Sequence, residues 1–119
     1  MALTLTELRE RACTPLKGAE NGLSVVEVQE QIGVLPDWHL SDDGKTISRD
    51  FTFKNFHRTM AFVNAVAWIA HEHDHHPDME VGYGHALLRY STHDVGGLSL
   101  NDFTCAARVD QLVAGTATR

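Results

Sequence analysis

The chain has 119 residues, of which 43% are hydrophobic and 22% are charged, and its formal net charge is -6 at pH 7. This length and composition predict one soluble globular domain with a single core. Nucleic acid is not an expected partner, because phosphate binding needs clustered Lys and Arg and the ten present are scattered. The chain starts with charges where a signal peptide needs an apolar run, and no window has the length of a membrane helix. We therefore expect a cytoplasmic protein with no membrane partner.

The first 22 residues carry the weakest structural signals. Thr6 is a candidate cap for a short helix over residues 7–12, and Pro15, Gly18 and Gly22 then interrupt any continuation. We expect residues 1–22 to form a loosely packed lead-in. The domain itself is expected at residues 23–114, followed by a tail at residues 115–119.

A helix and a β-hairpin are predicted next. Ser24 and Glu27 form a capping box that opens a helix, and Gly33 ends it. Two short apolar segments, Trp38 with Leu40 and then Ile47, Phe51 and Phe53, flank the polar turn at residues 41–45. Alternating apolar positions on either side of such a turn predict two antiparallel strands.

The strongest helical pattern follows Asn55, which is a candidate N-cap. The apolar residues at helical spacing are Phe56, Met60, Val63, Ala67 and Ala70, widened by Phe62, Val66 and Ile69. This helix is expected to stop near His76, because Pro77 disfavours a helical conformation in the residue before it.

Two more strands are predicted at residues 79–83 and 85–92, with Tyr83 in the sheet core. After a turn containing Gly96 and Gly97, Ser99 and Asp102 form a capping box for a final helix. The predicted order α-β-β-α-β-β-α defines an α+β fold, with a single four-stranded antiparallel sheet and helices packed on one face. The other sheet face or an edge strand would be available for oligomer contacts.

The stretch HEHDHH contains the spacing HExxH from His71 to His75, which zinc proteases use on a helix. The third ligand of the extended zinc motif is missing, because Asp78 and Val81 occupy the positions that need Gly and His. Pro77 also breaks the helix soon after His75. We therefore expect no metal. The two cysteines form no CxxC motif; Cys105 is interpreted as a small core residue, and the role of Cys13 is left open.

A second interpretation of the histidines is proton transfer. His75 and His76 lie where the long helix ends and His93 lies where the fourth strand ends, so the three would converge if these ends are neighbours. Imidazole exchanges protons near neutral pH, so such a pocket needs no metal or organic cofactor. The alternative is that His75 and His76 only cap the helix C-terminus, and that His71 and His73 are solvated surface residues.

The spaced residues His71, His75-His76-Pro77, Tyr83, His93 and Asp102 resemble the signature of the pterin-4a-carbinolamine dehydratase family. The segment STHDVGGLSLND, from Ser91 to Asp102, resembles the family's segment after its third active-site histidine. The resemblance extends over residues 24–112. Three departures are His71, where many relatives have an acidic residue, Val95, where animal members have Cys, and the uncovered first twenty residues.

The resemblance implies that the protein dehydrates 4a-hydroxytetrahydropterin to quinonoid dihydropterin without a cofactor, in support of tetrahydrobiopterin recycling. His75 and His93 are the candidate acid/base pair, in an order that the sequence leaves open, and His76 is expected to hold the substrate and assist. The residues expected to bind the pterin are Pro77, Asp78, Met79, Ser91, Thr92 and Asp102. Asp102 is also expected to cap the last helix and to orient a histidine or a backbone amide.

The same resemblance implies a second class of function. Animal members of the family act as dimerisation cofactors of a transcription factor and divergent relatives act as assembly factors, so a non-catalytic protein-binding module is the alternative. The resemblance further implies a homodimer or homotetramer and a functional link to an aromatic amino-acid hydroxylase.

Overall fold

The fold is α+β, with four helices and one four-stranded antiparallel sheet. It was obtained as a computed structural model, which describes residues 2–114. The helices are α1 (Leu5–Glu10), α2 (Val25–Ile32), α3 (Phe56–His73) and α4 (Leu100–Val113); the strands are β1 (His39–Leu40), β2 (Ile47–Thr52), β3 (Asp78–Val81) and β4 (His85–Tyr90). Short 3-10 turns span Ala19–Asn21 and His93–Val95. Among residues 2–114, no helix combines the length and the apolar composition needed to cross a membrane.

The sheet order is β1-β2-β4-β3, so β4 is central although it comes last in the chain. β2 pairs with β4 from Ile47 opposite Tyr90 to Thr52 opposite His85, and β3 pairs with the other edge of β4. Along β4, every second side chain is buried. This alternation places one face of the strand on the core and confirms the predicted sheet.

Helix α1 belongs to the core rather than to a loosely packed lead-in. Its N-cap is Thr4, which forms a capping box with Glu7, and not Thr6 as expected. Leu8 is completely buried among the core side chains. The earlier cap brings Leu8 inward, so residues of the first 22 contribute hydrophobic burial to the domain.

Helix α3 is the predicted long helix, but a different side of it is buried. The side chains that it buries are Thr59, Phe62, Val66 and Ile69. Phe56, expected at the start of the core stripe, is 50% exposed, and Trp68 is 62% exposed. Apolar residues occur around most of this helix, so periodicity alone gave the wrong principal face.

Helix α3 also ends earlier than predicted. It stops at His73 because Asp74 adopts a left-handed conformation (φ 49°). The N–H of His75 then donates to the carbonyl of Ala70, and the N–H of Asp74 donates to that of His71, which is the Schellman arrangement with Asp in the usual glycine position. Pro77 therefore lies beyond the helix end and does not cause it.

Two aromatic residues, Tyr83 and Trp38, lie in contrasting environments. Tyr83 is 70% exposed, so its placement in the sheet core was wrong; it follows β3, an edge strand whose residues are all exposed. Trp38 is buried and contacts the rings of Phe51 and Tyr90. Its indole N–H donates to Asp110, which also accepts from Arg49.

Candidate active site

A cleft of about 240 Å³ lies where the end of α3 faces the end of β4. Its walls are Asp74, His75, His76, Ser91, Thr92, His93 and Asp94. The three histidines expected to converge therefore share one cleft.

Two backbone features position the three histidines at the cleft. On one side, the left-handed Asp74 turns the chain out of α3, so His75 and His76 follow the helix instead of continuing it. On the other side, β4 ends at Tyr90 and the chain enters the 3-10 turn that begins with His93. A bridge between Thr92 and Gly97 closes that turn and fixes its position beside the sheet.

The imidazole of His75 is held by Asp102, the third residue of α4. Nε2 of His75 lies 2.6 Å from Oδ1 of Asp102, and the carboxylate is completely buried. Because the carboxylate accepts, Nε2 carries the proton in this contact, and Nδ1 is the ring nitrogen left for another partner. The ring of His75 also lies parallel to that of Tyr90, with centroids 6.0 Å apart.

The second carboxylate oxygen of Asp102 organises the opposite wall. Its Oδ2 accepts from the hydroxyl of Thr92 at 2.6 Å and from the backbone N–H of Ser99 at 2.9 Å. Thr92 has one hydroxyl proton and donates it to Asp102, so the hydroxyl of Ser99, 2.8 Å away, must donate to Thr92. Asp102 therefore connects the two walls of the cleft from beneath.

The pKa of His75 is raised above its usual value. Burial of the ring by itself lowers this pKa, but the hydrogen bond to Asp102 and the negative charge of that carboxylate raise it by more. His75 therefore holds a proton more firmly than a solvated histidine does at neutral pH.

The other predicted site residues have mixed positions. Ser91 and Thr92 line the cleft, whereas Pro77 is buried, and Asp78 and Met79 start β3 as exposed residues outside the lining. Asp102 is too deeply buried to touch a ligand in the cleft, so its influence passes through His75 and Thr92.

Sequence reasoning missed several residues of the walls. Asp74 and Asp94 were not selected, although each directly adjoins a selected histidine. A neighbouring depression of about 220 Å³ shares Ser91, Thr92 and His93 and adds Lys45, Thr46, Gly96 and Gly97. Lys45 belongs to the β1–β2 turn, and only the antiparallel pairing of β2 with β4 brings that turn close to His93.

The two histidines of the HExxH spacing do not lie on one helix. His71 lies in α3 and its ring contacts Trp68, whereas His75 lies beyond the helix end and is bound to Asp102. Within residues 2–114, no group of three or more His, Cys, Asp or Glu side chains is positioned to hold a metal ion.

The sequence model of the family described as pterin 4 alpha carbinolamine dehydratase matches residues 21–112. The chain belongs to this family. A relative from Stenotrophomonas maltophilia, provisionally named as a pterin-4-alpha-carbinolamine dehydratase, is 51% identical over 108 residues, which is 91% of this chain and 93% of the relative. Another with the same provisional name, from Nitrosospira multiformis, is 49% identical over 112 residues, or 94% of this chain and 97% of the relative.

Two solved structures share the fold. A transcriptional coactivator/pterin dehydratase from Brucella melitensis superposes with a TM-score of 0.74 at 28% identity, over 77% of this chain and 98% of that one. A pterin dehydratase-like protein described as a RuBisCO assembly factor in the alpha-carboxysome superposes with a TM-score of 0.57 at 24% identity, over 66% of this chain and 90% of that one. The second likeness concerns the fold alone.

Proposed function

We propose that the protein dehydrates 4a-hydroxytetrahydropterins to quinonoid dihydropterins by histidine acid/base catalysis. The observation that carries this proposal is the cleft in which His75, held by Asp102, lies with His76 and His93. Membership of the family and the provisional names of the relatives support the same reaction.

The reaction needs an acid at the departing hydroxyl. His75 suits this role because Asp102 raises its pKa, which favours the protonated ring. Nδ1 gives its proton to the 4a-hydroxyl, which leaves as water. Nε2 keeps its own proton, which stays hydrogen-bonded to the carboxylate of Asp102. The buried carboxylate thereby stabilises the charged ring before transfer and fixes its tautomer afterwards.

The reaction also needs a base at the ring nitrogen whose lone pair expels the hydroxyl. We assign this role to His93, which lies exposed on the opposite wall in the turn after β4. The nitrogen loses its proton to His93 as the new C=N bond forms, so one proton enters and one leaves the substrate. His76, also exposed, holds the substrate against this pair, and no cofactor takes part.

The amide-like edge of the pterin needs hydrogen-bonding groups near the histidines. We propose that Ser91 and Thr92 supply them from the cleft wall, and that the backbone of residues 77–79 supplies more from beside it. The hydroxyl of Thr92 already donates to Asp102 and its backbone N–H donates to the carbonyl of Gly97, so Thr92 would offer the pterin an acceptor and not a donor.

The test is the rate at which freshly generated 4a-hydroxytetrahydropterin disappears, measured with and without a strong chelator for the native protein, His75→Ala and His71→Ala. We expect acceleration that survives chelation, falls about 10²–10⁴-fold in His75→Ala and persists in His71→Ala, whose side chain lies outside the cleft. No acceleration by folded native protein would refute the proposal.

A protein-binding role is the second candidate, because the Brucella structure carries the description transcriptional coactivator beside pterin dehydratase. The feature that favours it is the exposed side of α3, where Trp68 is 62% exposed. Trp68→Ala would then weaken partner binding without affecting dehydration, and His75→Ala would do the reverse.

We also propose that the protein assembles as a homodimer or homotetramer in the cytoplasm, where it would serve an aromatic amino-acid hydroxylase. β3 is an edge strand, and Met79 and Val81 on it are exposed apolar residues. An unpaired edge of this kind favours pairing with another strand. Sedimentation equilibrium of the native protein and of Val81→Lys would test the assembly, because the added charge should shift the mass toward the monomer.

A further inference from the structure

The two cysteines of the chain, Cys13 and Cys105, are free thiols that pack in or against the hydrophobic core. Cys13 follows α1 and is partly exposed, whereas Cys105 lies in the middle of α4 and is completely buried. Sγ of Cys13 lies 3.9 Å from the backbone carbonyl oxygen of Asn101, the residue one helical turn before Cys105. The side chain of Cys13 therefore lies over the turn of α4 that ends at Cys105, although the two segments are far apart in sequence.

The segment that carries Cys13 is fixed to α4 on both sides of it. Before it, the guanidinium of Arg11 donates to Oδ1 of Asn101 and to the hydroxyl of Thr104, both at 3.0 Å. After it, the backbone carbonyl of Thr14 accepts from the side-chain amide of Asn101 at 2.8 Å. Asn101 lies one helical turn before Cys105, so these contacts hold Cys13 over the turn that ends at Cys105.

The environment makes the two sulfurs chemically unequal. The hydrogen bond from Cys105 lowers the pKa of Cys13 to about 7; burial opposes this change, and the positive charge of Arg11 assists it. The hydrogen bond to Cys13 and burial raise the pKa of Cys105 far above its usual value. Cys13 therefore has the thiolate character and the access of an attacking sulfur, and Cys105 stays a protonated thiol beside it.

We propose that Cys13 and Cys105 form a reversible disulfide when the protein meets a peroxide, with Cys13 as the reacting cysteine and Cys105 as the resolving one. The thiolate of Cys13 attacks a peroxide oxygen and breaks the O–O bond, which gives a sulfenic acid and releases hydroxide. The thiol of Cys105 then attacks that sulfur, forms the S–S bond and expels water. Two electrons pass from the sulfurs to the peroxide, and a dithiol reductant returns them.

The disulfide would form next to the candidate active site. Sγ of Cys105 lies 3.9 Å from the backbone carbonyl oxygen of His75, so oxidation removes a thiol proton beside the segment that positions this histidine. The bond would also tie residues 11–14 covalently to α4. Its formation does not depend on the proposed dehydratase activity.

Fully reduced protein, from which the reductant has been removed, is treated with hydrogen peroxide. After the peroxide is quenched, the protein is unfolded and alkylated, and its intact mass is measured by mass spectrometry. We expect a monomer that is lighter by two hydrogen atoms, resists alkylation at both cysteines and returns to two alkylated thiols after dithiothreitol. Peptide mapping should then join the peptide of Cys13 to that of Cys105.

Cys13→Ser and Cys105→Ala are the matched controls, and both should lack the lighter species. Native protein that keeps two alkylatable thiols after treatment would overturn the proposal. So would oxygen adducts on Cys13 without the cross-link, or disulfide-bonded dimers in place of the lighter monomer. These readouts come from the native chain, so the conclusion stands even if a variant folds poorly.

Discussion

Nε2 of His75 and Oδ1 of Asp102 lie 2.6 Å apart, which joins the segment after α3 to the first turn of α4. The same carboxylate forms the capping box of α4 with Ser99. The position of the histidine is therefore determined by a helix N-terminus, one of the more rigid parts of a fold. Precise positioning of this kind is what the proposed proton transfer at the cleft would require.

The first prediction concerns the pH dependence of stability. Because the folded pKa of His75 is raised, its protonation stabilises the folded state fully below the unfolded pKa of about 6.5, and this stabilisation disappears as the pH rises through the folded pKa. His75→Gln should therefore lose more unfolding free energy at acidic pH than at alkaline pH. Urea denaturation of both proteins across this range measures the difference.

The pH dependence that His73 contributes to stability does not disturb this comparison. Its pKa is lowered by burial and by the positive charge of Arg108, so its contribution to stability has the opposite sign. Both proteins retain His73, so the contribution cancels in the comparison. A difference between native and His75→Gln protein that does not vary with pH would contradict the first prediction.

The second prediction concerns Thr92. Thr92→Val keeps the shape of the side chain but removes the hydroxyl that donates to Asp102 and accepts from Ser99. Two buried polar groups then lose a partner, and we expect a loss of about 1–3 kcal/mol of unfolding free energy. The neighbouring exposed Ser91 is the control, since Ser91→Ala should change stability by less than about 0.5 kcal/mol. Equal effects of the two changes in urea denaturation would be inconsistent with the network.

The third prediction concerns Asp74, which occupies the left-handed position that ends α3. Asp and Asn adopt this conformation far more readily than a β-branched residue. Asp74→Val should cost about 1–2 kcal/mol of unfolding free energy, whereas Asp74→Asn should be nearly neutral. The NMR signals of the His75 ring should also move in the Val variant. A neutral Val variant would mean that the turn does not need a left-handed residue.

The fourth prediction distinguishes the two walls of the cleft. His93→Gln removes the proposed base but leaves the pair of His75 and Asp102 intact, so dehydration should slow by about 10²–10⁴-fold. The limb of the pH–rate profile that His75 causes should remain in this variant. His71→Gln, on α3 and outside the cleft, should retain the native rate and profile. A native rate in His93→Gln would remove His93 from the reaction.

The sequence predicted element types well because capping boxes and apolar alternation are local signals. Ser24, Ser99 and Asp102 marked two helix starts correctly. The end of α3 was placed near His76 instead of His73, because the left-handed Asp74 is stabilised by the Schellman hydrogen bonds and has no glycine to mark it. This error arises because a local turn without a glycine ended the helix.

The same distinction applies to the cleft. His75, His76 and His93 could be grouped from the sequence, because each lies at the predicted end of an element. Lys45 could not be assigned to this region from the sequence, because its proximity to His93 depends on which strands pair across the sheet.

The two oxygens of Asp102 serve different purposes, and this affects how relatives of this chain can be compared. Oδ2 accepts the hydrogen bond from Ser99 that helps to start α4, and a relative without catalytic activity would still need it. Oδ1 is the oxygen that binds His75. An acidic residue at this position in another sequence is therefore poor evidence for activity, because selection for a stable helix alone would retain it. The histidine opposite takes no part in starting a helix, so its presence or loss is the better guide to which relatives retain the proposed chemistry.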